Sequence, residues 1–341
     1  LAVNIHDVAH RAQVSITTVS HVLSGQGRVA AATQEKVRRA VEELGYQANI
    51  HAQRLASQRS RTLAFQIASF TESPNSSNLI PNSNYFLEVL NAAASASTEM
   101  EYVLLILSAQ AQPSILDRYG IAGVLIIDPR GDEPIFQTES NPDWLIVTNG
   151  RVAGNESHIG TVDNDHRRTT RETLEHLSEQ GYQNPALLTT DLGRSYTNDV
   201  AHEYRDWCQE NGREPLVIEL EEPPMQETAA SAVRMMLDRE HPPDAVITSA
   251  EDLALGALHE AQAHGLVVPR DLGIVSVVDS SVLLLTTPTI SAVFLDPEQI
   301  GKTAVNLLIS ALDGKSTFPQ SVVTPSSLRI RESTNRKGLT A

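Results

Sequence analysis

Apolar residues recur with a helical beat over the first fifty positions. Ile5, Val8, Ala9 and Ala12 fall at i, i+3, i+4 and i+7, one face of a helix. Val14-Ser15 interrupts the run. Ser15 is placed to cap a second helix whose Val19, Val22 and Leu23 face inward, and Gly25-Gln26-Gly27 stops it. Thr33 is placed to cap a third, with Val37, Ala40, Val41 and Leu44 on its buried side and Gly45 as its stop. Two helices joined by a very short turn and braced by a third predict a helix-turn-helix head.

From Thr62 the period changes. The runs "TLAFQIA", "EYVLLIL", "GVLIID", "DWLIVT", "PALLTT", "PLVIEL", "DAVIT" and "GIVSVV" read as strands, with helices predicted at 84–99, 166–180, 199–211, 226–239 and 251–264. Strands alternating with helices predict an α/β body with parallel, doubly wound sheets. So many units exceed one comfortable sheet, so two subdomains with a cleft between them are expected.

Composition narrows the class. The chain has 341 residues, 41% of them apolar and 20% charged, which suits two or three globular domains. No run of eighteen uninterrupted apolar residues occurs, so no membrane helix and no membrane partner are expected. No basic-then-apolar leader opens the sequence given, so export is not expected. The one cysteine, Cys208, excludes an internal disulfide and fits a cytoplasmic location.

Charge is spread unevenly. Formal net charge is −16, yet residues 1–61 hold eight Lys or Arg against four acids, a local +4 that leaves −20 on the rest. A basic head on an acidic body suggests that only the head approaches a polyanion. The outward positions of the second helix are Ile16, Thr17, Thr18, Ser20 and His21, with no acid among them. Hydroxyls and an imidazole reach base edges or phosphates, and a branched alkyl group meets a thymine methyl.

These residues carry a resemblance. Ile5 to Ala9 fit Ile-x-Asp-Val-Ala, Val14 to Ser20 fit Val-Ser-x-x-Thr-Val-Ser, and Thr33 to Tyr46 fit a Thr…Leu-Gly-Tyr helix. Over about sixty residues this resembles the head of the LacI/GalR family of bacterial transcription regulators. The resemblance implies base reading by Ile16, Thr17 and His21, with His21 as in the purine-repressor subgroup. It implies phosphate binding by Asn4, Ser15, Thr18 and Ser20, and adds Arg28, Tyr46, Asn49, His51 and Arg54 to the DNA-binding set. Residues 49–58, "NIHAQRLASQ", match the family's hinge helix, where Leu55 would wedge into a base step from the minor groove.

The family body is similar to periplasmic sugar-binding proteins. That likeness implies chain crossings between subdomains near 162–165, 295 and 321. The expected division is 1–48 head, 49–61 hinge and linker, 62–162 with 296–320 first subdomain, 163–295 with 321–333 second, and 334–341 tail. "LALGALHEAQAHGLVVPRDLGIVSV" and "TTPTISAVFLDPEQIGKTAVNLL" fit the family. Elsewhere this chain departs. Ala250 and Glu251 stand for Asn-Asp, Val277-Val278-Asp279 for Phe-Asp-Asp, and Val200, Glu203 and Tyr204 where an Arg and a Gly-Phe pair are usual. Val and Ala cannot make the bonds that hold a sugar, so an ordinary sugar effector is not expected. Tyr85 and Phe86 match the family's cleft aromatics, though a core role suits them equally. The expected effector-site residues are Tyr85, Phe86, Asp163, Asp165, Glu251 and Asp279, with Asp163 and Asp165 competing for one register. Residues 70–84 form a polar insertion, and 109–120 are shorter than usual.

Three patterns mimic enzymes. "GKT" at 301–303 lacks the Gly a P-loop needs, since Asp296 stands there. In "HEAQAH" the second His is at i+5, off the zinc-binding face. "GQGRVA" follows a helix, not a strand. No catalysis, metal or cofactor is expected. The reading is a DNA-binding regulator, a repressor acting as a homodimer on a pseudo-palindromic operator, with a cleft for a small effector. Two alternatives stay open: a regulator without an effector or with a protein co-regulator, and a solute-binding α/β protein with a vestigial head. The tail after Arg331 lacks heptads, so no C-terminal tetramer bundle is expected.

Overall fold

The computed structural model describes residues 3–24, 29–46, 60–68, 83–136, 144–152 and 159–337. It forms two compact units, Leu1–Ser60 and Arg61–Ala341. In the first, α1 (Ile5–Ala12) starts from a capping box. The Asn4 side chain accepts from His6 and Asp7 amides, and Asp7 returns a bond to the Asn4 amide. Gln13 ends α1 in the left-handed region, so three residues turn the chain into α2 (Ile16–Ser24). Val8, Val19 and Val37 are fully buried at the centre, with Ile5, Val22, Leu23, Leu44 and Tyr46 packed around them.

The third helix, α3 (Ala31–Leu44), begins three residues before the start expected from a Thr33 cap, with Ala30 at the cap position. Thr33 does not cap it. Its amide donates to Ala30 O at 2.9 Å, inside the first turn. Ala31 and Ala32 have the highest helix propensity and extend the helix without a cap side chain. Gly45 closes it at φ 59°, as expected.

The second unit holds two six-stranded sheets. The first runs β11-β5-β4-β3-β1-β2, with β1 (Thr62–Ile67), β2 (Val103–Leu107), β3 (Gly123–Ile127), β4 (Leu145–Asn149), β5 (Ile159–Asn164) and β11 (Ser321–Thr324), all parallel. The second runs β12-β10-β9-β8-β6-β7, with β6 (Pro185–Thr190), β7 (Val217–Leu220), β8 (Ala245–Thr248), β9 (Gly273–Ser276), β10 (Ser291–Phe294) and β12 (Ser327–Arg329). Its edge strand β12 lies antiparallel to β10, the one departure from wholly parallel sheets among the described residues. Both faces of each sheet are covered, so central strands are apolar at consecutive positions. Leu188, Val246 and Ile274 enter one core of the second lobe, and Leu187, Ile247 and Val275 the other.

The covering helices are α4 (Asn84–Glu99), α5 (Ser114–Tyr119), α6 (His166–Glu179), α7 (Ser195–Glu210), α8 (Gln226–Leu237), α9 (Glu251–Ala263) and α10 (Pro297–Leu312). Helix α7 starts four residues before the expected 199. Gly301 is a packing residue in α10, where a Cβ would stand 2.5 Å from Val89 O of α4. No helix among the described residues is long and apolar enough to cross a membrane.

The chain passes between lobes after β5, between β10 and α10, and between β11 and β12. The third passage lies at Pro325-Ser326, later than the expected 321, because β11 pairs with β5 of the first sheet. Asn164 ties these passages together. Its buried amide nitrogen lies 3.2 Å from Leu295 O, 3.0 Å from Thr324 Oγ1 and 3.3 Å from Pro325 O.

Candidate nucleic-acid interface and interlobe cleft

The N-terminal end of α2 is built by a local cap. Ser15 Oγ accepts from the Thr18 amide at 3.1 Å and lies 2.8 Å from Thr18 Oγ1. Ser15, Ile16, Thr17 and His21 are exposed, while Thr18 and Ser20 are half-buried. Val19 faces the core, which fixes the rotation of the helix and leaves those side chains outward. Asn4 is exposed, its oxygen engaged by the α1 cap. Tyr46 packs on the head core rather than standing free. Arg28, Asn49, His51, Arg54 and Leu55 lie outside the described residues, as do residues 70–82 of the insertion and the Gly25-Gln26-Gly27 stop.

In the body, strand ends and helix starts face one another across the two lobes. The Tyr85 hydroxyl donates to Asn149 Oδ1 at 2.7 Å. Burial raises its pKa well above the usual range, and Asp128 and Asp163 add to that. Phe86 is buried in the core of the first lobe, against which Tyr85 also packs, the two rings edge-on. Asp163 is buried, accepts from Arg151 at 2.8 Å and faces His166 Nε2 at 3.3 Å. Asp165 is exposed and caps α6 through the Arg168 amide at 3.0 Å. Asp163 therefore lies with the cleft groups and Asp165 does not.

Arg194 is the group that the sequence pattern did not reveal. It is wholly buried between the lobes. Its guanidinium lies 3.1 Å from Asp128 Oδ2 of the first lobe and makes two 2.9 Å bonds to Glu222 of the second. Arg130–Asp191 at 3.1 Å and Arg151–Asp199 at 2.6 Å also join the lobes. Burial raises the Asp128 carboxyl to about 6, although Arg194 pulls the other way. The place where the family carries an arginine holds Val200, Glu203 and Tyr204, and none faces this cluster. Val200 is core, Tyr204 donates to Pro185 O at 2.8 Å, and Glu203 takes Arg167 at 3.1 Å on the outer side of α7.

At the other end of the cleft, Asn84 of α4 donates to Ser281 Oγ at 2.5 Å across the lobes. Beside it are Glu251, at the start of α9, and Asp279-Ser280 after β9. Asp279 Oδ2 accepts from Arg331 at 2.7 Å and Arg329 at 3.1 Å. Glu251 is buried and forms no ion pair among the described residues, and burial raises its carboxyl, opposed by the hydroxyls of Ser280 and Ser83.

Comparison with known proteins agrees with both halves. Residues 4–49 match the family described as bacterial regulatory proteins, lacI family, and residues 174–334 match a periplasmic binding protein-like domain. The chain is 30% identical over 329 residues to the HTH-type transcriptional regulator AscG of Escherichia coli, covering 92% of this chain and 93% of that protein. The Lac repressor dimer bound to operator and the anti-inducer ONPF shares the fold at a TM-score of 0.78, with 22% identity over 98% of this chain and 99% of that one. The regulator CelR in complex with cellobiose gives a TM-score of 0.70 at 26% identity, over 97% and 99% of the two chains. With its head, its two-lobed body and this near full-length identity, the chain belongs to the LacI family of bacterial regulatory proteins.

Proposed function

We propose that the chain is a repressor that works in the cytoplasm as a homodimer on a pseudo-palindromic operator, its body responding to a small effector. The observation that carries this reading is the α2 start, where Ser15, Ile16, Thr17 and His21 stand exposed on a helix without a carboxylate. In a helix-turn-helix that end enters the major groove. Ile16, Thr17 and His21 would read bases. Ser15, Thr18, Ser20 and the Asn4 amide would hold phosphates. Arg28, Tyr46, Asn49, His51 and Arg54 would add backbone contacts, and Leu55 would wedge a central step. Two-fold symmetry of the protein would place two half-sites as an inverted repeat related by a two-fold rotation. The Lac repressor dimer on its operator supports the assembly by analogy. No catalytic step is assigned to the chain.

Selection of bound sequences from random duplex DNA tests the reading. The expected product is a two-fold symmetric site whose base preference relaxes at one position per half-site in His21→Ala. Recovery of no enriched sequence overturns it. A second reading, a body without an effector, is favoured by Arg194, whose carboxylate partners come from the protein itself. Calorimetry against a metabolite library separates the two, and one sub-millimolar hit ends the second.

A further inference from the structure

The two ends of the interlobe cleft differ in how well their polar groups are satisfied. At the Arg194 end, cations and carboxylates pair across the lobes, and even Asp191 Oδ2, which makes no hydrogen bond of normal geometry, has the Arg130 guanidinium at 3.1 Å. At the Glu251 end, among the described residues, Glu251 Oε2 and Asp279 Oδ1 are buried with no hydrogen-bond partner, and Ser280 Oγ, which leans on the Glu251 carboxyl, makes no bond of normal geometry. Glu251 is 8% exposed and Ser280 7%. Leaving a buried polar atom unmade costs free energy, so each such atom calls for a reason.

Local structure does not supply one. Glu251 opens α9, where an acid suits the positive end of the helix, yet Oε2 meets no amide. Arg329 and Arg331 both bond Asp279 Oδ2, which among the described residues leaves Oδ1 without a donor and Glu251 without a cation. Glu251 feels the charges of Asp252 and Asp279 and stands beside Ser280 and Ser83, the last being the residue before α4 in the first lobe. The place is therefore bounded by both lobes. Two of its three orphaned atoms are carboxyl oxygens, which accept when ionised, and a bound cation would favour that form. Among the described residues, no group of three acidic, His or Cys side chains suits a metal ion. The matching group is compact, positive and rich in donors. A primary ammonium has three N–H donors and one charge, and its bonds to carboxylates are of the strong, charge-assisted kind.

We propose that the effector of this regulator carries a primary ammonium group, held by Glu251, Asp279 and Ser280 between the lobes. This rests on the reading of the cleft as an effector site and specifies the ligand's class. An amine bound there joins the α9 side of the second lobe to the α4 side of the first. It therefore acts on the closure of the body, favouring the lobe arrangement that binds it.

The test is thermal unfolding of the full chain with methylammonium chloride, against sodium chloride and tetramethylammonium chloride at equal ionic strength. Glucosamine against glucose forms a second pair. Methylammonium and glucosamine are expected to raise the unfolding temperature by about 2 °C or more over their controls at concentrations well above their dissociation constants. Glu251→Gln, isosteric and neutral, is expected to remove that response and to be no less stable than the parent. Ser280→Ala, which keeps the charge and loses one acceptor, is expected to weaken amine binding about fivefold. Equal responses to amine and control, or a full response in Glu251→Gln, overturn the proposal. Duplex binding by the same preparation scores the regulator reading separately. Intact DNA binding without an amine response removes only the ammonium site, whereas loss of DNA binding leaves the amine readout standing.

Discussion

Arg194 carries its charge with no exposed surface, and three carboxylates make that tolerable: Glu222 bidentate at 2.9 Å, Asp128 at 3.1 Å and Asp191 at 3.8 Å. Removing one member of such a cluster leaves the others buried and uncompensated. Arg194→Met is therefore expected to cost about 3–5 kcal/mol in urea unfolding, although Met is nearly as large and more apolar. Asp128 gives the complementary signal. Its folded pKa of about 6 lies above the ordinary carboxylate value of 3.8, so the folded state binds a proton between those two pH values. The stability this contributes is full below pH 3.8 and is lost as pH rises through about 6. Asp128→Asn is expected to flatten the stability profile over that window. By carboxyl NMR, the Asp128 midpoint is expected to move higher in Arg194→Met, because the opposing cation is gone.

At the level of elements, short local devices hold the working surfaces. The Ser15 cap on α2 and the Asn4–Asp7 box on α1 are each made by side chains within three residues. Ser15→Ala is expected to lower head stability by about 1 kcal/mol in thermal unfolding. Helix α10 approaches α4 so closely that a Cβ on Gly301 meets Val89 O at 2.5 Å. Gly301→Ala is expected to cost about 1–3 kcal/mol by overpacking. Such devices explain what could be read from the chain alone. Val8, Val19 and Val37 announced the head through their spacing, and short apolar runs such as "PALLTT" alternating with helices announced the parallel sheets. Thr33 misled because a good capping residue says nothing of the alanines before it. The strands β10, β11 and β12 are only three or four residues long and rich in Ser and Thr, so they gave no clear periodicity. Arg194 was invisible for a different reason. Its partners lie 66 and 28 residues away in the chain, and no local spacing encodes that meeting. Asp163 and Asp165, two positions apart, were separated only when the end of β5 and the start of α6 were in place.

For the molecule as a whole, the charge division sets the physics of partner choice. The head at +4 approaches a polyanion, while the body at −20 repels one and resists unspecific binding to it. The affinity for DNA should then come from phosphate contacts made by the head and fall with salt, with a slope set by the number of those contacts. The body is joined by three chain passages that meet at Asn164, so the lobes are coupled at one buried amide. Asn164→Ala is expected to broaden the range of lobe arrangements, seen as a larger radius in X-ray scattering with little change in secondary structure. The most direct measurement is equilibrium binding of the full chain to a selected two-fold symmetric duplex across a salt series, with Thr17→Ala and His21→Ala beside it. The account predicts binding that weakens linearly in log–log form with salt, and a loss of about 1–3 kcal/mol of base discrimination in each variant. No binding to any duplex at low ionic strength, or unchanged affinity and base preference in both variants, would contradict it.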